Sequence, residues 1–164
     1  MVFAINEKAP MFTLADVHGE EFKLEEKIGK GWQLLVFFRG SWCPVCKEEL
    51  QAWEEHRSFF EKNNVNITAI STDNPEDLRT MAEEYGLTFP VLVDEALKVL
   101  DDYGVFYHSS EAPYEDHGAH GEPAYFLLDE EGRFLYQHRQ TNPFGRPGPK
   151  ELRKTVKYIE DNLK

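Results

Sequence analysis

Residues 33–38, Gln33-Leu34-Leu35-Val36-Phe37-Phe38, are apolar at every position but the first. A strand with one wet face alternates apolar and polar side chains. An unbroken run bounded by Gly31 and Gly40 instead fits a strand buried on both faces, at the centre of a sheet. Directly after it, from about residue 44 to 62, Leu50, Trp53, Arg57 and Phe60 recur at helical spacing, with the Arg57 stem able to lie along the apolar stripe. The only two cysteines of the chain, Cys43 and Cys46, fall at this strand-to-helix junction.

The remaining pattern builds around that strand. Phe12 and Leu14, then Phe22 and Leu24, flank the turn Asp16-Val17-His18-Gly19, which predicts an N-terminal β-hairpin. Val65, Ile67 and Ala69 alternate as a strand. Asn74 is placed to cap a helix opening at Pro75, carried by Leu78, Met81, Ala82 and Tyr85 and ended at Gly86. Val91-Leu92-Val93 predicts a short strand, and Leu97, Leu100 and Tyr103 a short helix closed by Gly104. Tyr125-Phe126-Leu127-Leu128 and Arg133-Phe134-Leu135-Tyr136 make a second hairpin. Gly148-Pro149 opens a last helix whose apolar face is Leu152, Val156, Ile159 and Leu163. Residues 106–122, polar and rich in His, Ser and Glu, predict a long loop without regular structure. Strand–helix–strand alternation followed by a hairpin gives an α/β fold: a mixed central sheet flanked by helices.

Length and charge narrow the partners. At 164 residues the chain is one domain by the usual prior of roughly 150 residues. Thirty acidic against 18 basic residues leave a net charge of −12, which repels phosphate backbones and anionic lipid and argues against nucleic acid and membrane surfaces. No apolar run approaches the roughly 20 residues of a membrane span, and no basic-then-apolar leader opens the sequence. The expected address is therefore cytoplasmic. There, two closely spaced cysteines are more often catalytic or metal-binding than a disulfide scaffold.

The position of Cys43-Pro44-Val45-Cys46 gives its spacing meaning. Cys43 falls at the helix N-cap and Pro44 at the first helical position, where a missing N–H costs nothing. Helix-terminal N–H groups then favour a thiolate at Cys43, and Cys46 lies one turn along, able to attack a mixed disulfide. Arg39 and Lys47 add positive charge; Glu48 and Glu49 oppose it. Two other readings stand beside this one: inert buried cysteines, or a zinc-binding or redox-sensing module using Cys43, Cys46, His117 and His120.

The stretch Phe37-Phe38-Arg39-Gly40-Ser41-Trp42-Cys43-Pro44-Val45-Cys46-Lys47-Glu48-Glu49-Leu50 resembles the active site of the peroxiredoxin-like (alkyl hydroperoxide reductase/thiol-specific antioxidant) branch of the thioredoxin superfamily. Ala9-Pro10-Met11-Phe12-Thr13-Leu14 resembles the start of that family. Pro123-Ala124-Tyr125-Phe126-Leu127-Leu128-Asp129-Glu130-Glu131-Gly132-Arg133 resembles its late hairpin. The resemblance implies a thioredoxin-like fold and an antioxidant or redox role. It also implies no cofactor, a disulfide or peroxide as substrate, and a thiol as electron donor. On the family pattern P-x-x-x-T-x-x-C, Cys46 takes the peroxidatic place, Cys43 the threonine place and Arg39 the proline place. Where peroxiredoxins carry a peroxide-binding arginine before the late strand, this chain reads Glu122-Pro123, and Pro123 matches the cis-proline of thioredoxins.

The resulting expectation is a thiol–disulfide oxidoreductase with Cys43 the exposed nucleophile and Cys46 the resolving thiol. Trp42 and Pro123 would shape the contact surface, and the Glu122–Pro123 bond would be cis, with the proline ring beside the sulfurs. Trp42 reads equally as an aromatic at the edge of the core. Arg39 reads first as a solvated surface charge and second as a local cation. The enzymatic alternative is a thiol peroxidase in which Cys46 attacks peroxide and Cys43 resolves the sulfenic acid. Oligomeric state has no signature in the sequence.

Overall fold

The structure, a computed structural model, describes residues 3–108 and 118–164. In chain order the elements are β1 (Thr13–Ala15), β2 (Glu21–Lys23), α1 (Leu24–Lys27), β3 (Trp32–Phe37), α2 (Pro44–Lys62), β4 (Val65–Ser71) and α3 (Pro75–Glu84). They continue with β5 (Val91–Val93), α4 (Lys98–Asp102), β6 (Tyr107–His108), β7 (His120–Gly121), β8 (Ala124–Leu128), β9 (Phe134–Arg139) and α5 (Pro149–Asn162). Five strands form the main sheet in the order β5-β4-β3-β8-β9. β3 runs parallel to β4 and antiparallel to β8, so the apolar run of the sequence is the middle strand of a mixed sheet. The other strands pair as two-stranded ladders, β1 with β2 and β6 with β7.

Pleating sorts the β3 side chains between two cores, because successive residues of a strand point to opposite faces. Leu34 and Val36 pack with Leu50, Trp53 and Phe60 of α2, Leu78 and Met81 of α3, and Leu152 and Val156 of α5. Leu35 and Phe37 pack on the other side with Leu24 of α1, Val99 and Leu100 of α4, and the aromatic group Phe12, Phe22, Tyr103, Phe126 and Phe134. Helices therefore cover both faces, and all six residues of β3 are buried. None of the helices among the described residues is long and apolar enough to cross a membrane.

Local signals set the helix ends. The Asn74 side chain accepts from the Asp77 N–H at 2.9 Å and Pro75 follows at the first helical position. Pro149 does the same for α5. On that helix Leu152 and Val156 are buried, whereas Leu163 lies past its end and is exposed. The turn joining β3 to α2 is tied down by Asp73, whose Oδ2 accepts from the Ser41 N–H at 2.9 Å and the Ser41 hydroxyl at 2.6 Å. Gly40 is required there, because a Cβ would collide with the Trp42 indole.

Two expectations are corrected. Residues 106–122 are not a structureless loop throughout: their ends pair antiparallel as β6 and β7, Tyr107 opposite Gly121 and His108 opposite His120. This brings two histidines together that sequence spacing keeps apart. The Glu122–Pro123 bond is trans, not cis. The Glu122 N–H donates to the Phe106 carbonyl at 2.8 Å and the Pro123 carbonyl accepts from the Gln140 N–H at 2.9 Å. The chain thus enters β8 already paired on both sides in extended form, the conformation a residue before proline prefers.

Phe60 joins α2 to the larger core with no exposed surface and packs against Trp53 at 5.4 Å between ring centroids. Phe60→Ala should destabilise the fold by about 3–5 kcal/mol. Urea unfolding should show this as a lower midpoint with an unchanged slope.

Candidate active site

The end of β3, the first turn of α2, the start of β8 and the loop between β9 and α5 converge on the two cysteines. Cys43 is the N-cap of α2: its Sγ accepts from the Cys46 N–H at 3.2 Å, and Pro44 occupies the first helical position. Neither sulfur is tied up in a disulfide. Cys43 is as buried as Cys46, both with no exposed surface, which corrects the expectation of an exposed nucleophile. The cause is a cover of cationic side chains over the cap position.

Two arginines supply that cover. Arg39, just after β3, is buried rather than solvated, which corrects its surface reading. Its Nη1 lies 3.8 Å from Cys43 Sγ, and its Nε donates to Glu122 Oε1 at 3.2 Å. The guanidinium also stacks 4.9 Å over the ring of Trp42, which is only partly buried. Arg146 comes from the β9–α5 loop. Its Nη2 reaches Cys46 Sγ at 3.3 Å and Cys43 Sγ at 3.8 Å. Glu49, one turn beyond Cys46, holds it from behind, accepting from Nη1 at 2.8 Å. Trp53 Nε1 at 3.2 Å and the Tyr125 hydroxyl also donate to Glu49. The arginine missing before the late strand is thus answered, in space, by one that follows β9.

These contacts push the two thiols apart electrostatically. Cys43 is lowered to about 5, chiefly because the Cys46 thiol hydrogen-bonds to it; burial opposes this, while the Cys46 N–H, the Arg146 charge and Arg39 assist. Cys46 is raised well above the ordinary thiol range, first by burial and then by the neighbouring Cys43 sulfur. One site therefore holds a stabilised thiolate beside a thiol that keeps its proton.

Some sequence candidates are drawn in and others not. Cys43, Cys46, Arg39 and Trp42 come together; Pro44 opens the helix after the cap, and Pro123 is buried next to Glu122 in the chain. Lys47 and Glu48 have no contact with either sulfur among the hydrogen bonds and ion pairs described. For the zinc reading, His117 lies outside the described residues, while His120 Nε2 sits 3.3 Å from Arg39 Nη2 and 3.2 Å from Glu122 Oε1. Among the described residues no cluster of three or more metal-ligating side chains is placed to hold an ion. Sequence reasoning missed Arg146, Tyr125 and the pairing roles of Glu49 and Glu122. Helical spacing from Cys46 could have singled out Glu49; nothing local marks Arg146.

The mixed sheet, the helices on both faces and the cysteine pair at the N-terminus of α2 define a thioredoxin-like redox protein of the peroxiredoxin-like branch. The chain belongs to the AhpC/TSA family, whose sequence model matches residues 5–137. It is similar to the thiol-disulfide oxidoreductase ResA of Geobacillus thermodenitrificans, 33% identical over 131 residues that cover 79% of this chain and 66% of that protein. The corresponding protein of Halalkalibacterium halodurans is 35% identical over 100 residues, covering 60% of this chain and 56% of the relative. The matched part thus spans less than two thirds of either relative. Among solved structures, peroxiredoxin 6 of Arenicola marina superposes with a TM-score of 0.85 at 18% identity, covering 97% of this chain and 74% of that one. Peroxidoxin BcpB of Mycobacterium tuberculosis gives 0.79 at 17% identity, covering 98% of each. Likeness at that level of identity shows the fold.

The charge arrangement has a direct readout in the ultraviolet absorbance of the thiolate. Titration of the reduced protein should show one thiolate with a midpoint at about 5, absent in Cys43→Ser. A midpoint in the ordinary thiol range would contradict the geometry. Because the folded value lies below the unfolded 9.0, this group stabilises the fold fully above about 9. That contribution is lost as pH falls through about 5.

Proposed function

We propose that this protein is a thiol–disulfide oxidoreductase that exchanges dithiol and disulfide through Cys43 and Cys46. The observation that carries the reading is two free thiols one helical turn apart, with Cys43 at the N-cap of α2, accepting from the Cys46 N–H at 3.2 Å and faced by Arg39 and Arg146 at 3.8 Å. This setting favours a thiolate at Cys43, while burial pushes the Cys46 thiol up. The activity for which its relatives are named and membership of the AhpC/TSA family support the same reading.

In the reductive direction the Cys43 thiolate attacks one sulfur of a protein or small-molecule disulfide. The substrate S–S bond breaks, one substrate sulfur leaves as a thiolate, and the other is held in a mixed disulfide with Cys43. Cys46 then gives up its proton, which the departing thiolates can take, and attacks the Cys43 sulfur. The second substrate sulfur leaves, and an intrachain Cys43–Cys46 disulfide remains. Two electrons have passed to the substrate, and an external thiol donor restores the dithiol. Arg146, 3.3 Å from Cys46 Sγ, is placed to stabilise the thiolate that forms there in the second step. Since both sulfurs are buried, substrate entry requires the cationic cover to part. Arg146 is the member of that cover held on a loop rather than at the end of the central strand. We place this chemistry in a reducing, cytoplasmic setting, as an antioxidant activity that draws its electrons from a thiol donor.

The contact of Arg146 with both sulfurs also favours a second reading, peroxide reduction at Cys46. There a Cys46 thiolate would displace hydroxide from hydrogen peroxide and become a sulfenic acid, and Cys43 would condense with it, releasing water. Burial raises Cys46, which keeps that thiolate scarce and ranks the reading second.

Trapping separates the two. With a disulfide substrate, Cys46→Ser should accumulate a mixed disulfide through Cys43, and Cys43→Ser should lose exchange activity by at least about 100-fold. Rapid sulfenic acid formation on Cys46 of the Cys43→Ser variant with hydrogen peroxide, without mixed-disulfide trapping in Cys46→Ser, would reverse the order.

A further inference from the structure

The Glu122 carboxylate has no exposed surface, and its two oxygens are treated very differently. Oε1 accepts from Arg39 Nε at 3.2 Å and lies 3.2 Å from His120 Nε2 and 3.6 Å from His108 Nε2. Among the described residues, Oε2 is buried with no hydrogen-bond partner. A buried carboxylate oxygen left without a donor is costly. A buried ion pair can often be replaced by apolar side chains with no loss of stability. Neither fact explains why a glutamate stands here, so the reason lies in what its partner touches.

That partner is shared between the carboxylate and a sulfur. Arg39 spends Nε on Glu122, while Nη1 faces Cys43 Sγ at 3.8 Å and Nη2 lies 3.3 Å from His120 Nε2. Glu122 itself is fixed by its N–H on the Phe106 carbonyl and by Pro123 after it. The His120 ring packs edge-on to Trp42 at 4.9 Å and stacks with His108 at 5.5 Å, closing the pocket around the pair. Glu49 holds Arg146 in the corresponding way. Cys43 thus sits between two guanidinium groups, each anchored by a carboxylate from another part of the chain.

We propose that Glu122 is a positioning residue: its buried carboxylate fixes the Arg39 guanidinium beside Cys43 and sets the net charge that sulfur feels. The inference rests on the dithiol reading of the cysteine pair and adds a determinant of its redox poise. Glu122 acts on Cys43 in two opposing ways. By orienting Arg39 it favours the thiolate; by its own negative charge it partly cancels that cation. A favoured thiolate stabilises the reduced form and makes the disulfide more oxidising, so the same residue moves thiolate pKa and reduction potential together.

The two effects are separable by substitution in the full chain. Glu122→Gln keeps an oxygen acceptor for Arg39 Nε but removes the charge. Its Cys43 thiolate midpoint, read by ultraviolet absorbance, should fall, and its reduction potential in a glutathione buffer should rise. Glu122→Ala removes the anchor, and the midpoint should rise by about one pH unit, a tenfold change in the thiolate-to-thiol ratio at fixed pH. Arg39→Met should raise it similarly, and adding Glu122→Ala to Arg39→Met should raise it no further. A residue needed only for folding would not give opposite shifts in Gln and Ala. The proposal is overturned if Glu122→Gln leaves the midpoint unchanged or raises it, or if Glu122→Ala still raises it when Arg39 is Met. If the Ala variant does not fold, Glu122→Leu, which fills the volume without offering an acceptor, takes its place and should raise the midpoint in the same way. The midpoint needs no substrate, so absence of disulfide exchange in the wild type would refute the dithiol reading without touching this result.

Discussion

A sulfur that is to carry negative charge inside a protein needs donors to replace the water it has lost, and that requirement organises this structure. Cys43 meets it with the Cys46 N–H at the start of α2, with the Cys46 thiol, and with two guanidinium groups at 3.8 Å. The helix terminus alone offers partial charges. The arginines bring full ones, and because they are buried each must be held by a carboxylate to be tolerable. Glu122 and Glu49 are therefore as much part of the site as the cysteines.

The fold makes that arrangement possible by burying the central strand on both faces. β3 is covered by α2, α3 and α5 on one side and by the aromatic cluster on the other, so the turn that follows it has a fixed base. Its neighbour β8 serves both arginines: Glu122, just before the strand, holds Arg39, and Tyr125, near its start, donates to the Glu49 that holds Arg146. Asp73, just past β4, clamps Ser41 from the strand on the other side of β3. The chemistry thus draws on strands that are adjacent in the sheet and far apart in the chain.

Similarity to proteins named as disulfide oxidoreductases and to peroxiredoxin structures is reconciled by the same geometry. An N-capping cysteine with a second one turn along suits dithiol exchange, while the arginine that spans both sulfurs is a feature of use to either chemistry. What ranks exchange first is the direction in which each thiol is displaced, and that is a consequence of burial and hydrogen bonding rather than of the motif.

The periodicity of the sequence was sufficient to place β3, the helix from Pro44 to Lys62, the Asn74 cap and the late hairpin, because strand alternation, helical stripes and capping are local or nearly local physics. It also put Cys43 at the helix N-cap and made it the better thiolate on those grounds. Exposure was beyond its reach: a cap position is usually open, and here two arginines close it. The trans Glu122–Pro123 bond, the β6–β7 ladder that joins His108 to His120, and the burial of Arg39 were likewise decided by pairing between distant segments. Arg146 is the clearest case, about a hundred positions from either cysteine and unmarked by any spacing. Local propensity can say where a charge will stand along the chain; which opposite charge it meets is fixed only when the sheet brings remote segments into one dry volume, where an unpaired ion is too costly to remain.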